Sequence, residues 1–199
     1  YTLSLHDALP IGTQASLGYR LMAAKPTEED RAERGKRLAL TRSNARLAAV
    51  QALYQWEATG IAPAQVIKEF TDHRLGEVVD DVALPPADLK LFTLIVAGAA
   101  ANVAELDDMI AAVLTEDWTT ERLEATLRAI LRCGAFELAH REDVPPRVVI
   151  AEYVGVCDAF FGAKETGLAN GILDQLARQL RPDEMGAGKS GEGGGPAAR

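Results

Sequence analysis

The most distinctive chemistry in this chain is a basic cluster in its first quarter. Residues 31–46 carry six basic side chains against one acid, Glu33, which gives this stretch a local charge of +5 in a chain of net charge −8. The basic residues are Arg31, Arg34, Lys36, Arg37, Arg42 and Arg46. Such a cluster can neutralise several phosphates, so it points to an anionic partner such as RNA. A solvated basic face that balances an acidic protein is the simpler interpretation, and charge alone favours it.

Arg42 and Arg46 are four residues apart, a spacing that places them on the same side of a helix. Lys36 and Arg37 lie just upstream, on what we expect to be a flexible lead. Cations near a helix N-terminus are slightly unfavourable, which makes a functional reason for the pair more plausible. Tyr54 lies near these turns and is a candidate for stacking on a base, although aromatics at helical spacing more often belong to the core.

The residue types that support catalysis or metal binding are present but scattered. His6, His73 and His140 have no cysteine or carboxylate at metal-ligand spacing. The acidic pairs lie on polar faces or in linkers, and the sequence contains neither a glycine-rich phosphate loop nor a nucleophile elbow. The sequence therefore predicts no metal site, no cofactor and no enzymatic activity.

The composition favours helices. Apolar residues make up 48 % of the 199 residues but aromatic residues only 6 %, a balance typical of helices packed through aliphatic side chains. Cys133 and Cys157 fall in apolar stretches and are expected to be free and buried. No long apolar run or secretory pattern is visible, so we expect a cytoplasmic all-α protein without a membrane segment.

Both ends of the chain differ in composition from its middle. We expect residues 1–36 to form a disordered or non-native extension, residues 37–182 to form one helical domain, and residues 183–199 to form a disordered glycine-rich tail. The tail contains too few apolar side chains to offset the entropy lost on ordering.

The apolar periodicity of the middle segment predicts a series of helices. Ser43 could cap a first helix that ends at Thr59, and a short helix should follow. A long stripe over residues 92–113 is expected to be divided at Gly98. Thr119 or Thr120 should open the next helix.

Two more helices are expected after Pro145. The first carries an apolar stripe that includes Phe160 and Phe161, and the second runs from about Leu168 to Leu180. Gly171 in the last helix predicts close packing against another helix or an RNA-facing turn, because glycine weakens a helix.

Four blocks of the sequence resemble the NusB family of transcription antitermination factors. They are residues 45–55 (ARLAAVQALYQ), residues 127–138 (LRAILRCGAFEL), the pair DVP and VIAE at residues 143–145 and 149–152, and residues 169–174 (ANGILD). The resemblance implies a compact all-α fold of about seven helices in two small bundles. It also implies binding of the boxA element of ribosomal-RNA leader transcripts together with the ribosomal protein NusE. NusA, NusG and RNA polymerase would be the further partners.

The resemblance also places RNA contacts on particular residues. The arginine-rich helix start falls on residues 42–46, which include Asn44, and the RNA-proximal tyrosine falls on Tyr54. A second RNA-proximal segment falls on residues 164–168, from Lys164 to Leu168. This chain has Ser43 and Asn44 where other members have arginines, and Gly167 and Leu168 where they have a Lys-Phe pair. Contacts could therefore have moved to Lys36, Arg37 and Lys164.

Two other functions remain open at the level of the sequence. NusB-like domains also form the RNA-binding front end of a ribosomal-RNA cytosine methyltransferase, which would require an α/β domain downstream. The other alternative is a helical protein-protein adaptor that binds no RNA.

Overall fold

The structure is a computed structural model, and it describes residues 27–75, 78–79, 82–83, 86–114 and 120–186. The chain divides into two compact units, Tyr1–Leu38 and Ala39–Arg199. The helices are α1 (Glu28–Thr59), α2 (Pro63–His73), α3 (Leu89–Ala101), α4 (Val103–Val113), α5 (Ala125–His140), α6 (Pro146–Phe160), α7 (Ala163–Leu180) and α8 (Pro182–Gly186). A short 3-10 helix, Thr120–Arg122, precedes α5.

The expected all-α class is confirmed. The only strands in the described ranges are β1 (Val78–Val79) and β2 (Val82–Ala83), a two-residue antiparallel pair in which Val78 faces Ala83. Helices α5, α6 and α7 pack on one another, and α2, α3 and α4 form a chain of contacts that leads to α5. Helix α5 thus belongs to both groups, and its residues from Ala129 to Leu138 are all buried.

Helix α1 begins earlier than the sequence suggested. Thr27 and Asp30 form a reciprocal cap, since the Asp30 backbone N–H donates to Thr27 Oγ1 at 3.1 Å and the Thr27 N–H donates to Asp30 Oδ2 at 2.9 Å. The prediction that Ser43 caps this helix is wrong, because its hydroxyl donates to the Ala39 carbonyl inside the helix. Residues 28–36, which the sequence analysis assigned to a disordered or non-native extension, are helical. Residues 1–26 lie outside the described residues.

The long apolar stripe is divided at Asn102 rather than at Gly98, and α3 and α4 meet there at an angle of 80°. Gly98 instead lies inside α3, where a Cβ atom would collide with the ring of Phe136. Among the described helices none alone is long and apolar enough to cross a membrane, and only the bent pair α3 and α4 would pass that test together.

The cap of α5 also differs from the prediction. Glu124, not Thr119 or Thr120, caps the helix, since its carboxylate accepts from the N–H groups of Thr126 and Leu127. Thr120 lies in the 3-10 helix.

The folded part of the chain extends past Pro182. Helix α8 ends at Gly186, and the Met185 side chain is only 5 % exposed because it packs into the core. The expected tail from residue 183 onward is therefore wrong for residues 183–186, while residues 187–199 lie outside the described residues. Arg181, just before α8, donates to the carbonyls of Arg141, Glu142 and Val144. This single side chain holds the loop between α5 and α6.

The two cysteines behave as expected, because Cys133 and Cys157 are free and buried. Burial raises the pKa of the Cys133 thiol far above its ordinary value, so this side chain remains a neutral part of the core.

Candidate nucleic-acid interface

Arg42 is the member of the predicted arginine pair that faces solvent. Its exposed side chain lies on α1 at the edge of a groove of about 570 Å³, which Lys90 of α3 and Arg141 of the α5–α6 loop also line. Neither Arg42 nor Lys90 makes a hydrogen bond or an ion pair with another described residue. These two cations are therefore available to a phosphate.

Arg46 has a different environment, although it lies only one helical turn further on. Its side chain is buried, and its Nε and Nη2 atoms donate to the two carboxylate oxygens of Glu137 at 2.7 and 2.9 Å. Glu152 Oε2 lies 3.4 Å from its Nη1, and the Tyr153 hydroxyl donates to Glu137 at 2.8 Å. Two carboxylates thus face one guanidinium, which leaves no net positive charge for RNA.

The pKa shifts in this cluster follow from its burial. Desolvation is the largest single effect and would lower the pKa of Arg46, but the hydrogen bonds to Glu137 together with the charges of Glu137, Tyr153 and Glu152 outweigh it, so the pKa is raised. Desolvation also raises the pKa of Tyr153 well above its ordinary value, and the adjacent Glu137 carboxylate acts in the same direction. Arg46, which the sequence analysis paired with Arg42 as a candidate RNA contact, is thus buried, and its place in the structure favours a structural role.

The α5–α6 loop brings a further ion pair to the groove. Arg141 Nε and Nη2 each lie 2.7 Å from an oxygen of Asp143, and this pairing lowers the pKa of the carboxyl to about 2. The charge of Arg42 acts in the same direction on Asp143. The groove therefore combines the exposed cations Arg42 and Lys90 with the Arg141–Asp143 ion pair, and the acidic residues Asp88 and Glu152 also line it.

The other predicted contacts lie in three separate environments. Tyr54 is 42 % exposed and lines a second pocket, whereas Lys164, in the first turn of α7, is exposed and Leu168 is half-buried against the core. Lys36 and Arg37 are exposed residues in the N-terminal part of α1.

Asn44 is half-buried, and its Nδ2 atom has no hydrogen-bond partner among the described residues. Asn44 lines a different groove together with Ser43 and Gly155. None of these three residues lines the 570 Å³ groove.

Two residues of these surfaces, Lys90 and Phe160, were not among the predicted contacts. Lys90 is an isolated basic residue between apolar neighbours, so no pattern marks it. Phe160 fits the apolar stripe of α6 by its spacing, but only the adjacent Phe161 packs against the core while Phe160 is 46 % exposed. Among the described residues no group of three histidine, cysteine or acidic side chains could hold a metal ion.

Comparison with known proteins places this helical architecture in a defined class. The family model described as the NusB family matches residues 43–178. A transcription antitermination protein NusB of Rhodopseudomonas palustris (strain BisB18) is 44 % identical over 164 residues, which cover 82 % of this chain and 97 % of that protein. The protein of the same name in Sphingopyxis alaskensis is 48 % identical over 143 residues, covering 72 % of this chain and 96 % of the relative.

Solved structures agree with this assignment. NusB of T. maritima has a TM-score of 0.60 and 26 % sequence identity, with 72 % of this chain and 95 % of that chain covered. NusB in a structure of the antitermination factors NusB and NusE with double-stranded RNA has a TM-score of 0.58 at 23 % identity, with 69 % of this chain and 96 % of that chain covered, and shows the same fold. The protein is thus an all-helical member of a family whose named relatives are transcription factors. The chain belongs to the NusB family.

Proposed function

We propose that this protein is a transcription antitermination factor that binds the boxA element of ribosomal-RNA leader transcripts together with NusE. The observation that carries the proposal is that the family match spans the helical core. The relatives named as antitermination proteins align with this chain over almost their whole length. None of the relatives compared above is named as an enzyme, which favours a non-enzymatic role over that of a methyltransferase front end.

The charges of the described surface support a modest RNA affinity for the protein alone. Of the two arginines on the opening turns of the predicted first helix, only Arg42 offers an unneutralised guanidinium, and Lys90 adds a second cation that the chain brings from α3. Each phosphate contact contributes a salt-dependent term to the binding free energy, so two cations make only a small electrostatic contribution to RNA affinity. The net charge of −8 also opposes a long-range approach of RNA.

A NusE partner would supply the missing interactions. The solved complex whose NusB subunit resembles this chain contains both NusE and RNA, which supports a joint RNA surface. NusA, NusG and RNA polymerase complete the proposed assembly, which operates in the bacterial cytoplasm. Lys36, Arg37, Asn44 and Lys164 remain proposed peripheral contacts.

The proposal is tested by co-purification of the full chain with its cognate NusE, followed by a mobility-shift assay with a boxA leader RNA and a scrambled control. We expect a stable heterodimer that shifts the boxA RNA at a lower concentration than either protein alone. A chain that binds NusE but shifts no RNA would be an adaptor. A chain that binds neither would contradict the proposed function.

A further inference from the structure

The 570 Å³ groove contains apolar side chains that the proposed phosphate contacts do not use. Leu94 of α3 and Val148 of α6 both line it, and each is 44 % exposed. The buried Leu91 of α3 lines it as well, and the α5–α6 loop adds Val144 and Pro145. Two helices and a loop thus bring aliphatic side chains to one groove.

Hydrogen bonds hold the walls of this groove in place. The Asp88 N–H donates to the Thr41 carbonyl at 3.0 Å, which joins the start of α3 to α1. Arg181 donates to three carbonyls of the α5–α6 loop. The groove is therefore formed in the chain alone, which reduces the conformational entropy lost when a partner docks.

The charged side chains of the groove that have no partner among the described residues are both positive. Arg42 and Lys90 are exposed, and neither makes a hydrogen bond or an ion pair with another described residue. Each acidic residue of the groove, in contrast, already accepts a hydrogen bond or faces an arginine; these residues are Asp88, Asp143 and Glu152. A partner that docks here therefore gains from acidic side chains beside its apolar ones.

The aliphatic part of the groove suits a protein better than RNA. Single-stranded RNA stacks its bases on aromatic rings or guanidinium planes, and Leu94 and Val148 offer neither. An exposed apolar patch with a polar rim is typical of protein–protein contacts, and amphipathic segments dock in such grooves through a few apolar anchors.

We infer that this groove docks a short amphipathic segment of a partner protein, with apolar side chains on Leu94 and Val148 and acidic side chains on Arg42 and Lys90. The same two cations are the proposed phosphate contacts, so the segment and the RNA compete for them. The competition rests on the proposed function, whereas the docking does not. Such a partner would lower the RNA affinity of the protein.

The probe for this site is a peptide selected on the full chain from a random phage-displayed library. Counter-selection on the double variant Leu94→Ser/Val148→Ser removes peptides that bind elsewhere, and circular dichroism checks that this variant keeps its helices. We expect enriched sequences in which acidic residues accompany several apolar ones. The selected peptide is then labelled with fluorescein, and fluorescence anisotropy measures its affinity.

Leu94→Ser and Val148→Ser should each weaken peptide binding about tenfold, the scale of one apolar side chain that loses its buried contact. Lys90→Gln should flatten the dependence of the affinity on salt, because it removes a charge that salt screens. A matched control is Leu89→Ser, which replaces a leucine of the same helix that is 47 % exposed and lies outside the groove lining. This variant should bind the peptide like the parent.

The competition is measured on the complex with NusE and a labelled boxA leader RNA. The unlabelled peptide should displace the RNA from the parent complex. A complex that carries Leu94→Ser keeps Arg42 and Lys90 and should bind the RNA like the parent. Displacement from it should require about tenfold more peptide, because only the apolar anchor is lost.

The outcomes separate this inference from the proposed function. If no sequence survives the counter-selection, or if the peptide binds Leu94→Ser and Val148→Ser like the parent, the docking is overturned and the proposed function stands. A peptide that binds the groove but leaves the RNA in place overturns the competition.

Two further results are decisive. If sedimentation velocity shows a dimer of the parent that Leu94→Ser dissociates, the groove is a self-association surface and the inference is overturned. If the peptide binds as expected but the parent complex binds no boxA RNA, the proposed function fails and the docking stands.

Discussion

Arg46 of α1 and Glu137 of α5 form a two-hydrogen-bond ion pair, with Nε to Oε1 at 2.7 Å, between side chains that are only 4 % and 0 % exposed. The pair joins residues 91 positions apart in the chain and ties α1 to the central helix. Because both charges are out of water, each depends on the other for its stabilisation.

We predict that Arg46→Ala lowers the free energy of unfolding by about 3–5 kcal/mol, because it leaves the buried Glu137 carboxylate without its main partner. Urea unfolding followed by circular dichroism measures this effect. Arg42→Ala is the matched control, since its exposed side chain should change stability by less than about 0.5 kcal/mol. Equal effects of the two substitutions would contradict the assignment of Arg46 to a structural role.

The buried phenol of Tyr153 makes stability depend on alkaline pH. Its pKa in the folded state lies well above the ordinary value of 10.0, so the unfolded chain loses this proton first as the pH rises. The stability contributed by the neutral phenol is fully present below pH 10.0 and declines as the pH rises toward the folded-state pKa.

Tyr153→Phe should therefore change both the stability at neutral pH and the dependence of stability on alkaline pH. At neutral pH it should cost about 1.5–3 kcal/mol, because Glu137 loses a hydrogen bond. Above pH 10.0 its stability should fall less steeply than that of the parent. Urea midpoints of both proteins across this range provide the measurement, and parallel pH curves would show that Tyr153 does not carry the alkaline dependence.

Two helical glycines should respond in opposite directions to the same substitution. Gly98→Ala places a Cβ against the Phe136 ring and should destabilise the protein by about 1–3 kcal/mol through overpacking. Gly171 is exposed with open space around its Cβ position, so the close packing expected from the sequence is absent. Gly171→Ala should stabilise α7 by about 0.5–1 kcal/mol. Thermal midpoints of both variants test this, and a destabilised Gly171→Ala would contradict the structure.

The end of the fold can be located by truncation. Deletion of residues 187–199 should leave the thermal midpoint within a few degrees of the parent, because this glycine-rich segment has few apolar side chains to bury. Deletion of residues 185–199 should lower the thermal midpoint clearly, because the buried Met185 side chain is lost and a cavity remains. Differential scanning calorimetry of the two truncations provides the comparison, and equal midpoints would place Met185 outside the core.

Local patterns explain which parts of the fold were predictable. The apolar stripes of α5 and α6 repeat at the helical period, so the helices and the all-α class follow from the sequence. The cap of α1 was also readable, because threonine at residue 27 followed three residues later by an acid is a capping pattern. The composition of residues 1–36 instead indicated a disordered or non-native extension, so no helix start was predicted there.

The remaining features depend on contacts between distant parts of the chain. The burial of Arg46 is set by Glu137 and Tyr153, whose positions relative to α1 follow only from tertiary packing. Lys90 meets Arg42 in one groove only because α3 packs near α1. Phe160 and Phe161 both fit the stripe of α6, and only the end of that helix decides which ring faces water. Helical periodicity contains no such information.

The most direct test of the central claim is terminator read-through in a reconstituted bacterial transcription reaction that contains NusA, NusG and NusE. The template carries a boxA leader upstream of a terminator, and a matched template carries a scrambled boxA. We predict that the full chain increases read-through on the boxA template only, and that Arg42→Ala reduces this increase. Equal read-through with and without the chain on the boxA template would contradict the account.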